Sequence, residues 1–302
     1  MVIIRNFRPT DLASYVQLMA EIDEVDRLGK ATSVEHTKER LEQPGYHPGE
    51  DLFLAEMDSL LVGYVDLARE LEIVRVILDG AVHPAHRGRG LGTRLLEAAV
   101  DQSRKLGAEV VQIPIVQRMT ASLSFVENKG FVPVRRHWQM SLIQYGGAVL
   151  QAAHGFELRH FVPGDEEGLC ALQNLAFVGS WGFRPNTAEE IRYLVNTSCC
   201  HPEGILLVTE GQRMVAYCWT MDDPVEKEKG CIRMMGVHPD YRGRGLGRAI
   251  LLAGIEYLMK RGMKEIELSV DSRNPHAKRL YQSVGFARKG ATIWYQRKLS
   301  LC

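Results

Sequence analysis

Two hydrophobic periods alternate along this chain, and the same succession of periods runs through it twice. In the second half, Phe156 to Arg159 reads as a strand and Asp165 to Phe177 as a helix. Thr187 opens another helix as its cap, and Glu190, three positions on, completes a capping box. Ile205 to Thr209 and Met214 to Met221 are strands around the hairpin residues Glu210-Gly211-Gln212. Asp222 to Lys229 is a charged loop and Cys231 to Val237 a mostly apolar strand. From Leu246 to Met259 the apolar stripe Ile250, Leu251, Ile255, Leu258 has helical spacing. Glu265 to Val270, Asn274 to Val284 and Ile293 to Leu299 then predict strand, helix and strand. The first half follows the same order, with Val110 to Val116 as the counterpart of Glu265 to Val270.

The repetition extends to individual residues. His83-Pro84-Ala85-His86-Arg87-Gly88-Arg89-Gly90-Leu91-Gly92 returns as His238-Pro239-Asp240-Tyr241-Arg242-Gly243-Arg244-Gly245-Leu246-Gly247. Lys105-Leu106-Gly107 and Lys260-Arg261-Gly262 end the helices that follow, with glycine where a left-handed cap is needed. Gly130-Phe131 matches Gly285-Phe286, and Arg5 to Asp11 matches Arg159 to Asp165. The chain reads as a tandem duplication. The linker is expected at Gln144 to Gly155, around Gly146-Gly147, which sets domains at 1–145 and 156–302.

Composition narrows the class without naming it. The 302 residues, 45% hydrophobic and 25% charged, suit two soluble globular domains. No apolar run is long enough to span a membrane, and Met1 to Arg5 is too short for a signal peptide, so a cytoplasmic location is expected. Net charge is zero. Residues 1–150 hold 17 basic and 20 acidic side chains, and residues 151–302 hold 20 and 17. Neither half is basic enough for nucleic acid to be the main partner. All six cysteines fall in the second half, so they do not pair between repeats. Cys199-Cys200-His201 lacks a second ligand pair at zinc spacing, so no metal is expected.

The doubled phrase has the make-up of an anion site. A strand leads in and a helix leads out, and Gly245 and Gly247 have no side chains to keep an anion from the backbone amides. Arg242, Arg244 and Arg248 add cations. The Walker pattern Gly-Lys-Ser/Thr is absent, which disfavours nucleoside triphosphate hydrolysis. The dinucleotide fingerprint fails too, because its third glycine falls on Ile250.

At these residues the chain resembles the GCN5-related N-acetyltransferase (GNAT) superfamily. That family's acyl-CoA motif, Gln/Arg-x-x-Gly-x-Gly/Ala, is matched at Arg242 to Gly247 and again at Arg87 to Gly92. Its second motif, Asn-x-x-Ala-x-x-Leu-Tyr-x-x-x-Gly-Phe, is matched by Asn274, Ala277, Leu280, Tyr281, Gly285 and Phe286. The resemblance implies an α/β (α+β) fold of two tandem GNAT domains, each a mixed, mostly antiparallel central sheet flanked by helices. It implies acetyl transfer from acetyl-CoA to an amine of a small molecule or peptide, by direct attack in a ternary complex. The tandem plan, active in its second half, is similar to that of the mycothiol synthase branch, which acetylates an aminothiol.

For the cofactor, the resemblance implies Met235, Val237, Arg242, Gly243, Arg244, Gly245, Leu246, Gly247, Arg248 and Asn274 in the second copy. In the first it implies Val82, Arg87, Gly88, Arg89, Gly90, Leu91, Gly92 and Thr93. The Val237 N–H is expected to polarise the thioester carbonyl, and Tyr281 to protonate the leaving thiolate. In the first copy Val126 stands opposite Tyr281 and Met119 opposite Asn274, so that copy is expected to be degenerate. Pro114 is expected to interrupt its strand.

The general base is harder to place. Where many relatives carry Glu, this chain has Cys231, and Val76 in the first copy. Asp222, Asp223, Glu226 and Glu228 lie just upstream, and Glu228 is the candidate taken forward. Trp181, Phe183 and Arg184 fall where relatives line the acceptor site, and His83 and His238 are expected to shape the strand ends. A second class of function stays open: a non-catalytic acyl-CoA sensor or interaction module.

Overall fold

The computed structural model describes residues 2–29, 33–147 and 155–299. The middle of the expected linker, 148–154, and Cys302 lie outside the described residues.

The first repeat comprises β1 (Val2–Asn6), α1 (Leu12–Asp26), α2 (Val34–Leu41), the single turn α3 (Pro48–Asp51), β2 (Leu52–Met57) and β3 (Leu60–Glu70). It continues through β4 (Arg75–Val82), α4 (Leu91–Lys105), β5 (Val110–Val116), α5 (Thr120–Asn128) and β6 (Val132–Leu142). The second repeat opens with β7 (Glu157–His160), α6 (Glu166–Phe177), α7 (Ala188–Val195), β8 (Ile205–Glu210) and β9 (Arg213–Asp222). It closes with β10 (Lys229–Val237), α8 (Leu246–Lys260), β11 (Glu265–Asp271), α9 (Pro275–Val284) and β12 (Ala287–Lys298). Local chemistry sets several of these limits. Thr187 and Glu190 form the expected capping box, with Glu190 N to Thr187 Oγ1 at 3.1 Å and Thr187 N to Glu190 Oε2 at 2.8 Å. Gly107 and Gly262, at φ +79° and +87°, turn the chain away after α4 and α8.

The chain divides into two compact units, Met1–His137 with Ala291–Cys302, and Trp138–Gly290. The boundaries expected from sequence follow the homologous copies; the compact units are cut so that each takes its closing strand from the other repeat. In unit 1 the strand order is β1-β2-β3-β4-β5-β12, and β12 runs antiparallel to β5 from Thr292↔Val116 to Lys298↔Val110. In unit 2 the order is β6-β11-β10-β9-β8-β7, with β6 represented by Trp138 to Leu142. Each sheet is mixed and mostly antiparallel, the parallel pairs being β4–β5 and β10–β11.

Pro114 does not interrupt β5, which runs unbroken from Val110 to Val116. The Gln117 N–H donates to Ala291 O on β12 at 2.8 Å, so alternation turns position 114 toward β4. Pairing with β4 has already ended at Gln112, and the missing N–H costs no ladder bond.

One face of each sheet packs on the long helix after the phosphate turn, and the other on the preceding helix pair. In unit 2, Ile250, Leu251, Ile255 and Leu258 of α8 are buried with Ile232, Ile266, Leu268 and Tyr281. On the opposite face, Leu169 and Leu172 of α6 and Ile191 and Val195 of α7 pack with Leu207, Tyr217 and Trp219. No helix among the described residues is long and apolar enough to cross a membrane.

The tyrosines buried in these cores include Tyr15 and Tyr64 in unit 1 and Tyr217 and Tyr281 in unit 2. Burial is the largest influence on each and raises its pKa above the ordinary phenol value. A group raised in the folded state contributes its stability fully below the unfolded pKa, about 10 here, and loses it as pH rises beyond that. Each phenol that ionises only on unfolding removes about 1.4 kcal/mol per pH unit. The Cys200, Cys218 and Cys231 thiols, also raised by burial, add the same kind of loss from about pH 8.5, so urea midpoints should begin to fall near pH 9 and fall steeply by pH 11. A midpoint unchanged at pH 11 would contradict the burial of these hydroxyls.

Candidate active site

In the second copy, β10 ends at Val237 and His238 caps a short 3-10 turn, Pro239–Tyr241, its Nδ1 accepting from Asp240 N at 3.2 Å. The turn that follows holds Gly243 at φ +77° and Gly245 at φ +81°, left-handed conformations that favour glycine. A Cβ at either position would meet nothing within 4 Å, so the space beside the turn is open. Gly245 is the N-cap of α8, whose first amides have no partner inside the helix. Arg242 donates to Val237 O at 3.3 Å and Ala176 O at 2.8 Å. Arg248 donates to Ser283 Oγ at 2.9 Å, and Arg244 lies over the Tyr241 ring, 4.8 Å from its centroid. Among the described residues none of the three arginines is paired with a carboxylate. Their charge stays available to an anion at the turn.

Beside this turn two parallel strands part. β10 pairs with β11 only from Lys229↔Glu265 to Ile232↔Leu268, although both continue further. On its other side β10 stays with β9 as far as Val237↔Ala216. His238 N donates to Val215 O at 2.8 Å, so alternation aims the Val237 and Met235 N–H groups at the opposite, open edge. These are free donors at the mouth of the phosphate turn, where a thioester carbonyl and an extended amide chain could be received. β10 also carries a bulge, a register shift between Ile232 and Met234, which doubles the residues facing one side.

α9 borders the same end. Asn274 caps it, its Oδ1 accepting from Ala277 N at 3.0 Å, so this side chain is committed to holding the helix start. Tyr281 is buried beside Phe286, with ring centroids 6.0 Å apart. Burial, and then the Cys218 thiol, raise its pKa, so the phenol keeps its proton through the physiological range. Tyr217 of β9 was not singled out in the sequence. Its hydroxyl is buried with no hydrogen-bond partner among the described residues, and burial, then the Cys218 thiol and the Tyr281 phenol, raise its pKa. A Cβ on Gly236 would lie 2.8 Å from the Tyr217 ring, so glycine there lets the ring lie against β10.

The first copy keeps the frame and changes its contents. Gly88 and Gly90 have φ +76° and +79°, and β4 parts from β5 after Ile77↔Gln112. The turn's first arginine, Arg87, is bound by both oxygens of Asp26 at 3.0 and 2.6 Å, which neutralises it. β4 has no bulge, and Val76 and Leu78 are fully buried. Val126 is in the core where Tyr281 would be, and Met119 provides no side-chain cap to α5. On the α1–α2 face Arg40 pairs with Asp66 and donates to Tyr15 Oη at 2.9 Å, while Tyr46 Oη donates to Asp66 at 2.7 Å. The core on the corresponding face of the second copy is built mainly of apolar side chains, Leu169, Leu172, Ile191 and Val195 among them.

Several candidate residues lie elsewhere. Glu228 is exposed and paired with Lys264 at 2.6 Å, at the far end of β10 from Val237, which removes it from the acyl site. Asp222 is tied to His201 and Arg261, both at 2.9 Å, and Asp223 accepts from Val225 N and Glu226 N within its loop. Arg184 pairs with Glu190 at 2.5 Å, and Phe183 stacks on Phe177. The Cys231 thiol is pushed up to about 11, mainly by burial, so it is no base at neutral pH. Glu267 of β11, in register with Cys231, is an acid that sequence reasoning missed; it pairs with Lys289 at 2.7 Å and Lys229 at 3.4 Å. Only strand pairing reveals it, since it lies in no motif.

This geometry agrees with what the chain is similar to. The description of the acetyltransferase (GNAT) family matches residues 18–131 and 166–286, one match per copy. A mycothiol acetyltransferase of Thermobispora bispora is 34% identical over 233 residues, covering 72% of this chain and 74% of that one. A mycothiol acetyltransferase of Actinosynnema mirum is 30% identical over 294 residues, covering 95% and 96%. Among solved structures, a GCN5-related N-acetyltransferase from Sphaerobacter thermophilus superposes with a TM-score of 0.77 at 29% identity, over 98% of this chain and 95% of that one. A tandem GNAT protein from the clavulanic acid biosynthesis pathway reaches 0.78 at 16% identity, covering 99% and 98%, and shows the shared fold. Matched once in each repeat and aligned nearly end to end with curated acetyltransferases, the chain belongs to the GNAT family and is an N-acetyltransferase that uses acetyl-CoA.

Proposed function

We propose that the second copy alone performs the transfer, to the amine of a small molecule. The observation that carries this reading is an asymmetry: only the second copy combines unneutralised arginines, a bulged and parted strand, and a buried phenol. Arg242 to Arg248 hold the pyrophosphate of acetyl-CoA. The Met235 and Val237 amides receive the pantetheine arm and the thioester carbonyl. The acceptor nitrogen bonds to the acyl carbon, the carbon–sulfur bond breaks, and the Tyr281 proton goes to the departing thiolate. The proton lost by the amine leaves through solvent, because Cys231 occupies the position where relatives carry an acid. Tyr281 is then reprotonated from water.

The relatives' name suggests an aminothiol acceptor of the mycothiol type, but Cys231 replaces their usual Glu and separates this chain's acceptor chemistry from theirs. The first copy binds acyl-CoA at Val82 and Arg87 to Thr93 without transferring it. Its affinity is lower than the second copy's by about 10-fold or more, the worth of one charge-assisted hydrogen bond. The test is release of free CoA from acetyl-CoA, with and without a panel of amines. Amine-dependent release supports the transferase. Tight acetyl-CoA binding with no release for any amine would instead make the protein a sensor. Calorimetry should resolve a strong and a weak site; two equal sites would contradict the role given to Asp26.

A further inference from the structure

Arg233 has no task in the transfer just described. It sits at the bulge of β10, the single charged residue between Gly230 and His238, and it is exposed to solvent. Among the described residues it makes no hydrogen bond or ion pair. Two other arginines of this unit have acids for partners, Arg159 with Asp165 at 2.6 Å and Arg184 with Glu190 at 2.5 Å. In the first copy the position is Leu78, fully buried in an unbulged strand. The bulge is therefore what brings a cation out of the sheet at this place.

The face it occupies is that of α6 and α7. Ile232 packs on the α8 side and Met234 on the helix-pair side, and the groups that act on Arg233 are the thiols of Cys231 and Cys200. Cys200 belongs to the helix-pair core, where its sulfur accepts from the Trp219 indole at 3.3 Å. Among the described residues no acid weighs on the guanidinium. Surrounding protein lowers its pKa even though water reaches the side chain. From Arg233 to Val237 is four strand residues, roughly 13 Å, so a flexible guanidinium and the acyl-transfer donors can meet one small molecule. A lone cation partly shielded from water attracts an anion more strongly than a fully solvated one.

Resting on the acetyltransferase reading, we propose that Arg233 is the anion-recognising group of the acceptor site, so that the amine acetylated by the second copy also carries a carboxylate or phosphate. The bidentate fork of arginine suits either group. Arg233 touches the acceptor and takes no part in the proton transfers. Its effect therefore falls on KM more than on kcat.

The test uses matched acceptors on the full chain. α-Amino acids are compared with their primary amides, ω-amino acids of increasing length with the corresponding alkylamines, and O-phosphoethanolamine with ethanolamine. The wild type should favour the anionic member of its best pair by about 10- to 100-fold in kcat/KM; the amino-acid and phosphate arms tell which anion is taken. Arg233→Ala should bring that member down to its neutral partner's level, mainly through KM. The neutral partner and acetyl-CoA affinity should stay unchanged, and Arg233→Lys should restore part of the preference. Equal use of anionic and neutral partners by the wild type overturns the proposal. So does a loss in Arg233→Ala that is the same for both. Absence of CoA release with every amine overturns the transferase reading itself, and this proposal with it.

Discussion

Tyr281→Phe should lower the rate of acetyl transfer by about 10²–10⁴-fold, the usual worth of one general acid, with acetyl-CoA affinity nearly unchanged. The ring is buried and packed against Phe286, and phenylalanine keeps that packing. What it loses is the proton. Because burial raises the phenol's pKa, Tyr281 remains an acid well into the alkaline range, and its deprotonation should not limit kcat below pH 10. Steady-state kcat and calorimetric affinity, measured side by side, separate proton donation from packing. A fully active Tyr281→Phe enzyme would remove the tyrosine from the chemistry and assign the proton to water.

Gly245→Val should abolish acetyl-CoA binding at the second copy, and turnover with it. Gly245 holds φ +81°, where a β-branched residue is strained by about 1–3 kcal/mol, and the strain falls on the N-cap of α8. The added side chain also enters the open space beside the turn amides. Either way the amides cease to converge on one anion. Titration of acetyl-CoA into this variant should show only the weak first-copy site. Retention of the strong site would contradict the assignment of the pyrophosphate to this turn.

How much of this was legible in sequence depended on how local each signal was. The doubled glycine-rich phrase marks an anion turn by itself, and the α8 stripe declares its buried face. The α9 motif is contiguous, so the resemblance to the family was enough to point to Tyr281. The exchange of closing strands was not legible. β12 stands in the same place in the sequence repeat whichever β5-type strand it pairs with, and only the register Thr292↔Val116 distinguishes the two arrangements. Pro114 was misjudged because the direction of its missing N–H depends on strand parity. The ion pair of Arg87 with Asp26 joins residues 61 positions apart and has no local pattern. Arg233 was visible as a charge in an apolar strand, but its meaning came from the bulge, which no propensity announces.

The division of labour between the copies is the claim on which the account turns. Gly90 and Gly245 are equivalent caps, at φ +79° and +81°, so the same substitution imposes the same strain on each turn. The most direct measurement is amine-dependent CoA release by Gly90→Val and Gly245→Val, each made in the otherwise intact chain. The account predicts near wild-type turnover for Gly90→Val and none for Gly245→Val. Loss of turnover in Gly90→Val with its retention in Gly245→Val would reverse the two copies and leave Tyr281 as a core residue only.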